Sequence, residues 1–250
     1  MKNLFKILAF SFLFVLVSIF IKAYMGVKVK QEQTHNHPSA NTTITTPKCK
    51  HTVYYGNVEI CLPEVDSMTE CYHVPVIKRM AESSSTEVSP VLAYYLNSNT
   101  LNKIINLELR EFDDYLILWG SKKLDHYEAS LSDLEQSRNQ AKEGLSNEEW
   151  ITLKKKCENR FEKLSQSLSI GKLINVEFYS PFENVNSTVL LSKISKDNKE
   201  YVVIMISNIL LLKNRLISTG YYKFYTAEES IEIAKMNNDK IVKQLVDKNL

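Results

Sequence analysis

Apolar and polar positions give this chain three stretches of different grain. Ile7 to Ile21 is apolar except for Ser11 and Ser18, with Lys2 and Lys6 before it and Lys22 after it. Residues 27–50, VKVKQEQTHNHPSANTTITTPKCK, are mostly polar and lack any period. From His51 onward, period-two and period-3.6 patterns take over, which is the mark of strands and helices that bury one face.

The patterned part opens with a hairpin. Thr52–Tyr55 and Val58–Leu62 flank Gly56-Asn57, and a glycine at the first turn position accepts positive φ. Val58 and Ile60 are expected on a buried face, Glu59 and Cys61 on an open one, with Pro63 ending the strand. A short helix is predicted over Pro75–Glu82, a strand over Val91–Leu96, a helix over Thr100–Leu107 and a strand over Tyr115–Trp119. Asp125–Lys142 reads as a polar helix carrying Tyr127, Leu131 and Leu134. The next helix is sharper: Ser146 and Glu149 form a capping box, and Trp150, Leu153, Cys157, Phe161 and Leu164 recur on one face.

After Gly171 the period becomes two. Ile174, Val176 and Phe178 alternate with polar neighbours, and Thr188–Ser195 is expected to pair with Tyr201–Leu212. Tyr201–Ile206 is almost wholly apolar, as in a central strand covered on both faces. Lys213-Asn214 makes a tight turn into a strand over Arg215–Tyr225. Thr226 with Glu229 suggests a capping box for a closing helix whose apolar face is Ile231, Ala234, Ile241, Val242 and Leu245. This is an α+β chain: a mainly antiparallel sheet with two to four helices, following an N-terminal hydrophobic helix. The boundaries are 1–26 for the membrane segment, 27–50 for a disordered spacer and 51–250 for one α+β domain.

The first segment is an address. Residues 7–21 span about 22 Å at about 1.5 Å per residue, long for a signal core and short against a hydrocarbon layer of about 30 Å. If Lys22 snorkels, the helix extends through Val27 with Tyr24 at interface depth. A cut after Ala23 places Ile21 and Lys22 unfavourably. These features favour an uncleaved anchor over a cleaved signal peptide. Both readings put the rest of the chain outside the cytoplasm, in the cell envelope, periplasm or medium.

Charge narrows the partners. The chain has 31 Lys+Arg and 29 Asp+Glu, and without the three lysines of residues 1–26 the basic count is 28 against 29 acidic. A near-neutral body argues against nucleic acid as a partner. Cysteine adds a compartment argument. Cys157 belongs on a helix stripe as a buried thiol, and Cys49 sits in the spacer, so Cys61–Cys71 is the expected disulfide among Cys49, Cys61 and Cys71. The spacing supports neither a redox C-x-x-C motif nor a zinc site.

Candidate chemistry is thin. His35 and His37 lie in the spacer without a cage, so no metal or other cofactor is expected. Cys71-Tyr72-His73 brings a thiol near an imidazole but lacks an orienting third group. Asp113 and Asp114, adjacent on a strand, point to opposite faces and make a poor acid–base pair. Asn41-Thr42-Thr43 and Asn186-Ser187-Thr188 match the glycosylation sequon. The tyrosine doublets Tyr54-Tyr55, Tyr94-Tyr95 and Tyr221-Tyr222 are expected to bury one ring and expose the other. A binding surface, if there is one, is expected around Arg215, Tyr221, Tyr222 and Lys223.

The order of strand, Lys213-Asn214-Arg215-Leu216-Ile217, strand, acidic cap and closing helix resembles the end of PsbP-like α-β-α sandwich modules, over residues 172–250. Arg215 follows the turn directly where that family usually has Gly. The resemblance implies a non-enzymatic helper or assembly role at a membrane and no catalytic residues. The expected function is therefore a non-catalytic binding or assembly module of the cell envelope, held to the membrane by its N-terminal segment and partnered by an envelope protein. The alternatives are a toxin-neutralising immunity protein of the periplasm and a hydrolase with a dispersed site.

Overall fold

The structure is a computed structural model that describes residues 49–84, 89–106, 114–143, 151, 155, 168–171, 174–196 and 199–250. The N-terminal apolar segment, His35, His37, Asn41 and Cys157 lie outside them. So does nearly all of the helix expected from Ser146.

A two-stranded hairpin, β1 (Thr52–Tyr55) and β2 (Val58–Cys61), opens the fold. Gly56 turns it at φ +59, and a Cβ there would run into the Asp125 carbonyl. Ile60 is buried, as the alternation requires, but so is Cys61. Its backbone N–H donates to Asn249 Oδ1 at 2.7 Å, and Asn249 Nδ2 returns a bond to its carbonyl at 2.8 Å.

Among the described residues the main sheet has eight strands. Strands β3 (Met68–Glu70), β4 (Val91–Asn97) and β5 (Tyr115–Trp119) lead into β10 (Arg215–Phe224), β9 (Lys199–Leu212) and β8 (Val185–Lys196). Strands β6 (Leu168–Ile170) and β7 (Ile174–Tyr179) both pair with β8. Every pairing is antiparallel. The turn joining β9 to β10 has both Lys213 and Asn214 at positive φ, 46° and 58°, the geometry that matches strand twist in a two-residue hairpin. Val203 to Ile206 in β9 are all buried, so the central strand is covered on both faces. Coverage on both sides also buries both rings of Tyr94-Tyr95 and of Tyr221-Tyr222. Only at the hairpin does a doublet divide, Tyr54 being exposed and Tyr55 buried.

Four helices complete the described fold: α1 (Pro75–Ser84), α2 (Ser98–Ile105), α3 (Leu131–Glu143) and α4 (Glu229–Asn249). Helix α3 starts later than the apolar spacing suggested. Ser130 and Asp133 cap it reciprocally: Ser130 N–H and Oγ donate to Asp133 Oδ2 at 2.8 and 2.6 Å, and Asp133 N–H reaches back to Ser130 Oγ at 3.4 Å. The Thr226–Glu229 capping box expected for helix α4 does not form: its N-cap residue, Glu228, makes no side-chain cap hydrogen bond. The Ser230 hydroxyl accepts from the N–H groups of Thr226 and Ala227, both at 3.2 Å.

Ala234, Ile241, Val242 and Leu245 of α4 pack onto Tyr221, Ile217, Ile206, Ile204 and Leu210. Beneath the same helix runs a buried polar network. Asn208 Nδ2 donates to Thr219 Oγ1 at 2.8 Å and to Asn238 Oδ1 at 2.7 Å. Asn208 Oδ1 accepts from Ser187 at 2.6 Å and from Asn238 at 3.1 Å. Each amide is satisfied by the others, so burial leaves none of them unpaired.

The disulfide joins Cys49 to Cys61, not Cys61 to Cys71. Pairing of Thr52 with Cys61 carries the preceding residues alongside β2, and the Cys49 and Cys61 Cα atoms stand 5.6 Å apart. Cys71 is free and fully buried; its thiol donates to the Tyr94 carbonyl at 3.2 Å, and burial raises its pKa far above the ordinary thiol range. The sequon at Asn186 lies inside β8. Its amide donates to the Leu134 carbonyl at 2.7 Å and Ser187 is buried, so the site is spent on the fold.

Candidate functional site

Strand β10 places Tyr221 and Lys223 on one face, two residues apart, and carries them past the start of β5. Asp114 stands immediately before β5, which is how a residue distant in sequence comes to meet them. Lys223 Nζ reaches both Asp114 carboxylate oxygens, at 3.0 and 2.9 Å. The Tyr221 hydroxyl donates to Asp114 Oδ2 at 2.6 Å and accepts from Asn237 Nδ2 of α4 at 3.3 Å. Burial, then the charge and hydrogen bond of Asp114, push the Tyr221 hydroxyl well above its ordinary pKa, with Asn237 pulling the other way. Tyr221 therefore stays a neutral donor at physiological pH. The Asp114 and Lys223 side chains each keep 24% of their surface exposed.

Above this cluster lies a cleft of about 400 Å³, bounded by α4 and the loop from Glu64 to Met68. That volume is in the range of small-ligand pockets, roughly 300–1,000 Å³. Met68 and Ile241 provide apolar wall. Ser67 holds φ 63° in the loop, a backbone state that costs a non-glycine residue about 1–3 kcal/mol and has to be held by its surroundings. The loop is pinned on both sides. Glu64 N–H donates to Gln244 Oε1 at 2.8 Å, Ser98 N–H donates to the Ser67 carbonyl at 3.3 Å, and the Glu64 carboxylate meets Lys248 at 3.0 Å. The Lys248 hydrogen bond and charge hold the Glu64 carboxyl below its ordinary range.

Of the four residues singled out from sequence, the structure brings Tyr221 and Lys223 together and sends the other two elsewhere. Tyr222 lies on the opposite face of the sheet, stacked on Tyr115 at 4.3 Å. Arg215 sits at the far end of β10, only 3% exposed. It donates to the carbonyls of Tyr127 and Asn214, both at 3.0 Å, and to Asn57 Oδ1 at 2.8 Å, so it locks the β1–β2 turn against the β9–β10 turn. Asp113 lies outside the described residues. Cys71 is buried while His73 is exposed and faces Glu70 at 3.3 Å, so thiol and imidazole do not form a dyad. Among the described residues, no group of three or more His, Cys, Asp or Glu is placed to hold a metal ion. Among those same residues, no helix is long and apolar enough to cross a membrane.

Sequence reading weighed Asp114 only as an acid–base partner of Asp113 and missed its meeting with Tyr221 and Lys223, the loop from Glu64 to Ser67 and the polar edge of α4. A signal was present in the helix. Asn237, Ile241 and Gln244 recur at steps of four and three, a stripe beside the apolar face that must look toward the same sheet.

No protein-family model matches this chain, and no curated protein matches it. Among solved structures, a mutant of Protein Mog1 aligns with 79% of this chain and 93% of its own, at 10% identity and a TM-score of 0.37. A likeness at that level carries no argument about fold or function.

Proposed function

We propose that this chain is a non-catalytic binding module of the cell envelope, anchored by its N-terminal apolar segment and engaging an envelope protein or component through the α4 cleft. The cleft carries the binding reading. Asp114 has both oxygens engaged by Lys223 and one by Tyr221, which holds the carboxylate in a fixed position as a hydrogen-bond acceptor. Recognition needs such groups held still.

The envelope half of the proposal has two supports. The apolar run from Ile7 to Ile21 with its flanking lysines is an export address. The Cys49–Cys61 disulfide fits an oxidising compartment.

The test has two arms. An alkaline phosphatase fused after Leu250 is expected to be active, with the protein in the membrane fraction; a carboxy-terminal reporter that functions only in the cytosol overturns the location. A mature terminus at Tyr24 in the soluble periplasm replaces the anchor by a cleaved signal. For binding, a photoreactive amino acid at position 68, in the apolar wall of the cleft, is expected to cross-link one stoichiometric envelope component. Cross-links spread evenly over many proteins overturn the module reading.

A further inference from the structure

The cleft's charges divide into spent and unspent groups, and the unspent ones have a pattern. Asp114 is matched by Lys223, and Glu64 by Lys248. Asp66 on the loop and Lys240 on α4 also line the cleft, both exposed, and neither makes an ion pair or side-chain hydrogen bond among the described residues. They carry opposite charges and stand on the two elements that bound the cleft.

Three carboxamides share the lining: Asn97, Asn237 and Gln244. Each has one half already used. Asn97 Oδ1 accepts from Asn99 N–H at 2.9 Å, and Gln244 Oε1 accepts from Glu64 N–H at 2.8 Å. Asn237 Nδ2 donates to Tyr221 OH at 3.3 Å. The remaining halves are the NH₂ groups of Asn97 and Gln244, which donate, and the oxygen of Asn237, which accepts. Two donors and an acceptor that share the cleft with a carboxylate and an ammonium complement a chain of amide groups with a charged amine at one end and a carboxylate at the other.

From this arrangement we infer that the cleft takes a short unblocked peptide as a zwitterion, its amino group at Asp66, its carboxylate at Lys240 and its amide groups on the three carboxamides. This rests on the binding-module reading above and names the ligand class of that same cleft. A quaternary ammonium headgroup fits less well. Tyr221 is the aromatic residue of the described lining, and it is 1% exposed, with no open ring face for such a cation.

The test is isothermal titration of the full chain, isolated from the envelope fraction, with trialanine, N-acetyl-trialanine and trialanine amide. Trialanine is expected to bind one-to-one. Each blocked peptide is expected to bind roughly tenfold more weakly, the size of one charge-assisted hydrogen bond. Lys240→Gln should weaken trialanine by a similar factor and leave trialanine amide unchanged; Asp66→Asn should do the same for the acetylated peptide. Both positions are exposed, and thermal melts of the variants check that the fold is kept. Absence of saturable trialanine binding, or equal binding of free and blocked peptides, overturns the inference. If the cross-link from position 68 survives that result, the ligand class alone is wrong; if both fail, the module reading falls with it.

Discussion

Two polar clusters lie under the same helix, and they are built on opposite rules. The Asn208–Asn238 cluster is neutral and fully buried, with Asn208 0% and Asn238 1% exposed. The Asp114–Lys223–Tyr221 cluster is charged and keeps contact with solvent. Neighbouring positions of α4 serve one each, Asn238 the first and Asn237 the second. Amides that satisfy one another can be buried at little net cost and fix the register of β8, β9, β10 and α4. A carboxylate and an ammonium stay where water can still solvate them, because full desolvation costs more than the pair returns. The first cluster therefore belongs to folding, and the second stays at the solvent-facing lining of the cleft.

The largest effect expected on this comparison comes from alkali, because a tyrosine with a raised pKa borders each cluster. Tyr179, bonded to Asp239 at 2.8 Å and to Asn238 at 3.3 Å, and Tyr221 both have pKa values raised above the ordinary 10.0, first by burial. Tyr55 is pushed up to about 12 by the same cause. A raised folded pKa means the unfolded chain loses its proton first. The stabilisation is complete below the unfolded value near 10 and is lost as pH climbs toward the folded one. For Tyr55 alone that is about 2–3 kcal/mol. The tyrosinate absorbance of the buried rings and the circular dichroism should change together in one step above pH 10; ionisation of those rings with the fold intact would contradict their burial.

Next in size is Asn208→Leu. It leaves Ser187, Thr219 and Asn238 without their shared partner and should cost roughly 3 kcal/mol in denaturant unfolding. Asp114→Asn should cost about 1 kcal/mol or less, since its ion pair is partly solvated, while reducing the cross-link from position 68 severalfold. A reversal of those two costs would mean that the charged cluster is the structural one. The smallest effect is reserved for the rim: Glu64→Gln, at the solvent-exposed contact with Lys248, should leave the melting temperature within measurement error.

Much of the sheet could be read from the chain because period two survives wherever strands are long. β9 was legible from its apolar run and the β9–β10 turn from Lys213-Asn214. β3 and β6 escaped notice because three residues are too few to show alternation. The start of α3 was misplaced for a local reason: the cap is an aspartate answering Ser130, while Tyr127 upstream mimics helical spacing. The Cys61–Cys71 expectation failed because proximity in the spacer was judged from composition, whereas hairpin pairing draws Cys49 in. For the site, strict alternation along β10 already separated Tyr221 and Lys223 from Tyr222. Asp114 was out of reach, since its meeting with Lys223 depends on β5 pairing with β10 across a long sequence separation, and nothing local encodes that.

The link between Cys49 and Cys61 also decides how this protein takes a pull. Tension arriving from the residues before Cys49 crosses the sulfur bridge and enters at the far strand of the hairpin, so the backbone ladder between Thr52 and Cys61 is bypassed and cannot be unzipped one rung at a time. Cys61 is in turn clamped by Asn249 at the end of the last helix. A pull applied ahead of Cys49 is thus borne by the closing helix and the sheet beneath it, and the hairpin that opens the described residues is the part least able to peel away.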